Sequence, residues 1–138
     1  MALSFSQTAA LGRILKPGMR VASMGYPDII ADIGDMPGLE YRADSEAICK
    51  RHGLHPHRIP DAESYFSLLG CKLDVYDIVQ ERGCEILCDL NLPREFVHVS
   101  EYAPYDIVLD VGTVEHCFNI AQAVMNMAGL VKKDGYII

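Results

Sequence analysis

Apolar residues along this chain fall into short runs and periodic stretches, separated by Gly, Pro and Asp. From Ser6 to Lys16, apolar positions at Ala9, Ala10, Ile14 and Leu15 predict a short amphipathic helix, stopped by Lys16-Pro17-Gly18. Met19 to Met24 predicts a buried strand, cut off by Gly25-Tyr26-Pro27. Residues 28–61 have no clear period and carry Gly34, Pro37, Gly38, Gly53, Pro56 and Pro60, which predicts loop with one short helix near Ser45 to Arg51. A connection this long in a compact domain marks a lid, a binding loop or an insertion.

Beyond Asp61 the pattern tightens. Ala62 to Leu69 reads as a helix with Asp61 as N-cap and Gly70 as stop. Lys72 to Val79 alternates and is rich in Val, Ile and Tyr, so it reads as a strand, and Glu85 to Leu90 reads as another before Asn91-Leu92-Pro93. The nearly continuous apolar run from Tyr105 to Val111, closed by Gly112-Thr113, fits a strand buried on both faces. Apolar spacing from Ile120 to Val131 is helical, Lys132-Lys133-Asp134-Gly135 ends it, and Tyr136 to Ile138 begins a last strand. Strands alternating with helices imply an α/β fold with a parallel sheet covered by helices.

Composition narrows the class. The chain has 138 residues, half of them apolar and 22% charged, which suits one globular domain spanning 1–138 with a loop-rich insertion at about 29–61. With 12 Lys and Arg against 19 Asp and Glu, the net charge is −7, and that argues against nucleic acid as a partner. No apolar run approaches the roughly 18–20 residues of a membrane span, so no membrane partner is expected. The start MALSFSQTAALGRILK lacks the basic segment and apolar core of a signal peptide, and the five cysteines then read as reduced thiols of a cytoplasmic protein.

In an open parallel sheet, ligands bind outside the carboxyl ends of the strands. Gly25 follows the first strand, Asp77 closes the second, Asp89-Leu90-Asn91 ends the third, and Asp110-Val111-Gly112-Thr113 with Glu115-His116 follows the fourth. A carboxylate at a strand end can accept two ribose hydroxyls. Asp-x-Asn offers an acceptor and an amide suited to adenine, and glycine lets backbone approach a ligand. Taken singly, each acid is equally ordinary turn chemistry; their recurrence at one end of successive strands is what points to a site.

These residues resemble a family. Tyr105 to Ile138 is similar to the fourth- and fifth-strand region of class I S-adenosylmethionine-dependent methyltransferases, through Asp106-Ile107-Val108, Glu115-His116, the apolar helix face from Ala123 to Leu130, and Lys132-Lys133-Asp134-Gly135. Cys84 to Pro93 resembles the family's third-strand motif, Lys72 to Ile78 its second strand, and Arg20 to Asp28 its first strand and turn. The resemblance implies a three-layer α/β/α Rossmann-like sandwich with about five strands in the order 3-2-1-4-5. It implies S-adenosylmethionine as cofactor, held by Gly25, Asp77, Asp89, Leu90, Asn91 and Gly112, with His116 nearest the chemistry and a small-molecule acceptor.

Two departures keep a second reading open. The first turn, Ser23-Met24-Gly25-Tyr26-Pro27, has one glycine where the family has several, and the chain stops at Ile138, in or just after the fifth strand. A non-catalytic S-adenosylmethionine-binding or assembly module that keeps the fold fits those departures. An uncovered edge strand is a pairing liability, so Tyr136 to Ile138 is expected to pair with another chain, as in a homo-oligomer. Another nucleotide-binding Rossmann enzyme is the weaker third reading, since G-x-G-x-x-G is missing and no basic residue is seen at a strand end to meet a phosphate.

Other clusters point elsewhere. Cys49, His52, His55 and His57 are good zinc-ligand types, but their spacing matches no closed zinc motif, and a polar loop is expected with no metal site. Cys84 and Cys88, four apart on an expected strand, would share a buried face, and Cys71 and Cys117 read as core packing. Asp28, Asp32 and Asp35 lack the later bidentate Glu of a calcium loop.

Overall fold

A computed structural model describes residues 2–93 and 104–138. Its elements are β1 (Ala2–Leu3), α1 (Phe5–Ile14), β2 (Arg20–Met24), β3 (Asp28–Ile29), α2 (Ser45–Arg51), α3 (Ala62–Leu68), β4 (Lys72–Asp77), β5 (Ile86–Leu87), β6 (Tyr105–Asp110), α4 (Ile120–Leu130) and β7 (Val131–Ile137). A 3-10 turn over Val114–His116 precedes α4. Five strands form one parallel sheet in the order β5-β4-β2-β6-β7, and β1 pairs separately with β3.

Local chemistry explains the helix ends. Ser4 and Gln7 form a reciprocal capping box at the start of α1. The Asp61 carboxylate accepts from the Ser64 N–H at 2.9 Å and starts α3. Asn119 accepts from the Gln122 N–H at 3.2 Å and starts α4.

Side chains along a strand alternate between faces, and the core divides accordingly. Val21, Val75, Ile107 and Leu109 cluster with Leu11 of α1 and with Ala62, Tyr65 and Phe66 of α3. Ala22, Met24, Tyr76 and Val108 cluster with Ala123, Met127 and Leu130 of α4. The long segment before α3 is tied down by its own small core of Ile48, Cys49 and Ile59 and by a short antiparallel bridge from Tyr41 to Pro60.

Below the sheet's amino end, β2, β4 and β6 are locked together by polar contacts. Tyr105 Oη donates to Asp74 Oδ2 at 2.9 Å and lies 2.9 Å from Tyr76 Oη. Arg20 donates to the same Asp74 oxygen at 3.2 Å while stacking over the Tyr105 ring.

β1 and β3 are strands that the residue pattern does not predict, and β5 and β7 differ from the strands it does. β5 covers only Ile86–Leu87, because Glu85 is buried and its carboxylate accepts the Arg82 N–H, holding the preceding residues in a turn. Cys84 is therefore exposed in that turn and does not share a buried face with Cys88. β7 starts directly at Val131. Its pairing with β6 skips from Val131 opposite Tyr105 to Tyr136 opposite Ile107, so Lys132 to Gly135 form a bulge instead of a turn before the strand. Asp134 takes a positive φ of 65° there. A Cβ on Gly135 would come within 2.8 Å of the Asp106 carbonyl oxygen and 2.7 Å of Val131, so only glycine fits. Among the described residues no helix is long and apolar enough to cross a membrane.

Candidate functional site

Because β2, β4, β5 and β6 are parallel, their carboxyl ends share one rim. A cleft of about 130 Å³ opens there, with Tyr76, Asp77 and Ile78 from the end of β4 on one side. Cys88 to Asn91 after β5, and Thr113, His116 and Cys117 after β6, complete its lining. Five of the residues singled out from sequence thus meet in one place: Asp77, Asp89, Leu90, Asn91 and His116. Gly25 and Gly112 are not among the lining residues. Both have positive φ, 79° and 104°, and shape the turns beside the cleft.

Each acid at this rim does turn work with one oxygen. Asp77 Oδ1 accepts the Ile78 N–H at 2.7 Å. Asp89 Oδ1 accepts both the backbone N–H of Asn91 at 2.9 Å and its side-chain amide at 2.8 Å. Asp110 Oδ1 gathers the N–H groups of Gly112, Thr113 and Val114. Among the described residues, Oδ2 of Asp77 and Oδ2 of Asp89 make no hydrogen bond, and these two carboxylates belong to the cleft wall. The turn and ligand readings of these acids are therefore compatible: one oxygen fixes the loop and the other is left for a guest.

Asn91 is different. Its amide donates to Asp89 and its carbonyl oxygen accepts the Asn119 N–H at 2.8 Å, so its side chain bridges the β5 loop to the start of α4. Its contribution to the cleft is shape.

The β2 end is closed rather than open. The Gly25 N–H donates to the Tyr76 carbonyl at 2.7 Å, and Thr113 Oγ1 donates to the Met24 carbonyl at 2.5 Å. Thr113 therefore joins the β6 turn to β2, and Asn119 caps α4. Tyr26 turns into the core that contains α1 and α3. There its hydroxyl donates to Asp61 Oδ2 at 2.5 Å and accepts the Ala62 N–H at 3.1 Å, and burial with that carboxylate pushes its pKa well up. It leaves the cleft clear.

The cleft wall is acidic and apolar. Cys88 is pushed up to about 12 by burial and by Asp89, and Cys117 is raised by burial, Asp110 and Asp89. Burial and the neighbouring carboxylates thus disfavour the reactive thiolate form at both positions. His116 is exposed, with Nε2 3.6 Å from Glu115 Oε1.

Asn126 escaped the sequence reading because it sits inside an apolar helical stripe. It is fully buried, and its amide donates to the carbonyls of Leu90 and Leu92, fixing the cleft loop from α4. A lone amide at a core position of a helix was the available signal.

The Cys-His segment packs internally. Cys49 is buried, with Sγ 3.5 Å from His57 Nδ1, which also meets the His55 carbonyl at 3.0 Å. Among the described residues, no group of three or more His, Cys, Asp or Glu side chains is arranged to hold a metal ion.

No family model, no curated protein and no solved structure matches this chain.

Proposed function

We propose that the rim cleft binds the adenosyl part of S-adenosylmethionine and that the protein transfers its methyl group to a small molecule. The observation that carries this reading is the meeting of Asp77 and Asp89 in one cleft, each with an uncommitted oxygen. Asp77 would accept the ribose hydroxyls and Asp89 the adenine amino group, with Ile78, Leu90 and Cys117 against the ring. The strand order supports the reading too, since the five strands counted along the chain run 3-2-1-4-5. So does the division of helices between two core clusters, as a three-layer Rossmann-like sandwich requires.

Charge favours this guest over a nucleotide. Among the described residues, carboxylates line the cleft and no Lys or Arg does. A phosphate would be repelled there, whereas a sulfonium would be attracted. At about 130 Å³ the cleft is smaller than the roughly 300–1,000 Å³ of a pocket that engulfs a whole ligand. One ring system would be enclosed and the rest would lie along the rim, where His116 stands. The bound cofactor supplies an electrophilic methyl group; the chain's task is to orient its partner in line with it.

The second reading, binding without transfer, draws support from the β2 turn. Tyr26, Pro27 and Asp28 are buried there, and no glycine loop is left for close approach of a ligand's tail. Saturation-transfer NMR with S-adenosylhomocysteine tests the shared premise. The adenine and ribose protons should receive the most saturation, and absence of transfer would remove both readings.

A further inference from the structure

Away from the acidic cleft, three arginines converge on one carboxylate. Asp28, just past the β2 turn, is 3% exposed. Arg42 Nη1 donates to its Oδ1 at 2.5 Å. Arg51, in the last turn of α2, comes within 3.8 Å of it, and Arg82, in the loop between β4 and β5, within 3.9 Å.

The three are not equivalent. Arg42 is spent: besides Asp28, its Nε and Nη2 donate to both oxygens of Asp44 at 2.8 and 2.7 Å. Arg51 and Arg82 stand too far from Asp28 for hydrogen bonds. Among the described residues their guanidinium groups make none. Glu85 spends its carboxylate on the Arg82 backbone N–H, at 3.0 and 3.1 Å, and lies 4.0 Å from the Arg82 guanidinium. Arg51 and Arg82 thus face Asp28 at ion-pair distance while their N–H donors stay out of hydrogen bonds among the described residues.

A rigid platform holds one of them. The Arg82 guanidinium lies 3.9 Å from the centre of the Tyr26 ring, and that ring is fixed by its hydrogen bonds to Asp61 and Ala62. Arg51 complements the helix end it sits on, which alone would account for a basic residue there. It does not account for a second, stacked guanidinium from another loop meeting the same carboxylate. The sequence hid this arrangement because residues 42, 51 and 82 come from three separate segments.

We propose that Arg51 and Arg82 form a recognition site for an oxyanion, the carboxylate or phosphate group of a small-molecule ligand. A guanidinium presents two parallel N–H donors that match either group. The site sits beyond the carboxyl ends of β2 and β4, on the rim where ligands of parallel sheets bind. In a chain of net charge −7, two guanidinium groups whose N–H donors are not engaged in hydrogen bonds among the described residues give an anionic ligand a local place to dock. The proposal stands whether or not the neighbouring cleft holds an adenosyl group.

The test is an NMR titration of the arginine Nε–H signals of the whole chain, with inorganic phosphate in one arm and succinate in the other. Arg51 and Arg82 signals should shift and saturate, while Arg13 and Arg58 do not. Saturation in only one arm identifies the group. Arg82→Gln, which removes no hydrogen bond among the described residues, should weaken the response at least tenfold, with other spectral changes confined to the surroundings of Tyr26, Asp28 and Glu85. Arg51→Gln should do the same. Shifts that never saturate in either arm, or that survive in both variants, would overturn the proposal.

Discussion

The side-chain amide of Asn126, buried in α4, donates to the carbonyl oxygens of Leu90 at 3.0 Å and Leu92 at 2.9 Å. The loop that carries Asp89 is thus held by a helix 34 to 36 residues further along the chain. The Asn126 side-chain oxygen accepts from Gln122 at 3.0 Å, so both amide hydrogens and the oxygen have partners. Removing the Asn126 amide leaves the carbonyls of buried Leu90 and exposed Leu92 without this donor.

Asn126→Leu, close in volume, should therefore cost about 1–3 kcal/mol in urea unfolding. It should also weaken any ligand of the cleft, because the loop would lose its register. Unchanged stability would mean that the two carbonyls find other donors.

The polar lock at the amino end of the sheet predicts a pH dependence. Burial pushes Asp74 up, but hydrogen bonds from Lys72, Tyr105 and Arg20 outweigh it and hold its carboxyl below the usual range. A depressed carboxyl stabilises the fold above its unfolded pKa of about 3.9, and that contribution drains away as pH falls through the folded value. Stability of the wild type should drop more steeply than that of Asp74→Asn from about pH 4 downward. Parallel curves from thermal melts across that range would contradict it.

The bulge in β7 makes its own prediction. Gly135→Ala forces a methyl group against the Asp106 carbonyl and Val131. It should cost about 1–3 kcal/mol. Loss of amide protection at Tyr136 and Ile137, measured by hydrogen exchange, should accompany it. Substituting alanine at Gly12, where a Cβ meets nothing within 4 Å, is the control expected to leave stability intact or higher.

Much of this architecture was legible in the residue pattern. Asp61 before Ala62-Glu63-Ser64 announces the α3 cap, and the run at 105–111 announces a central strand, because both signals are local. Asp77 and Asp89 could be paired in advance because parallel strands place their carboxyl ends on one rim. What stayed hidden depends on partners distant in sequence. The shortening of β5 follows from Glu85 capturing a backbone N–H, and the role of Asn126 from carbonyls on another element. The arginine cluster needs three segments folded together. The β7 bulge hid because Lys-Lys-Asp-Gly is turn chemistry whether or not pairing resumes beyond it.

The proposed adenosine site depends on the two carboxylates Asp77 and Asp89, and calorimetric titration of S-adenosylhomocysteine probes it most directly. Wild-type protein should release or absorb saturable heat with one site. Asp77→Ala and Asp89→Ala should each weaken binding by roughly tenfold or more, as loss of a hydrogen bond to a charged acceptor does. No heat at millimolar ligand, or affinity unchanged in both variants, would contradict the proposed site.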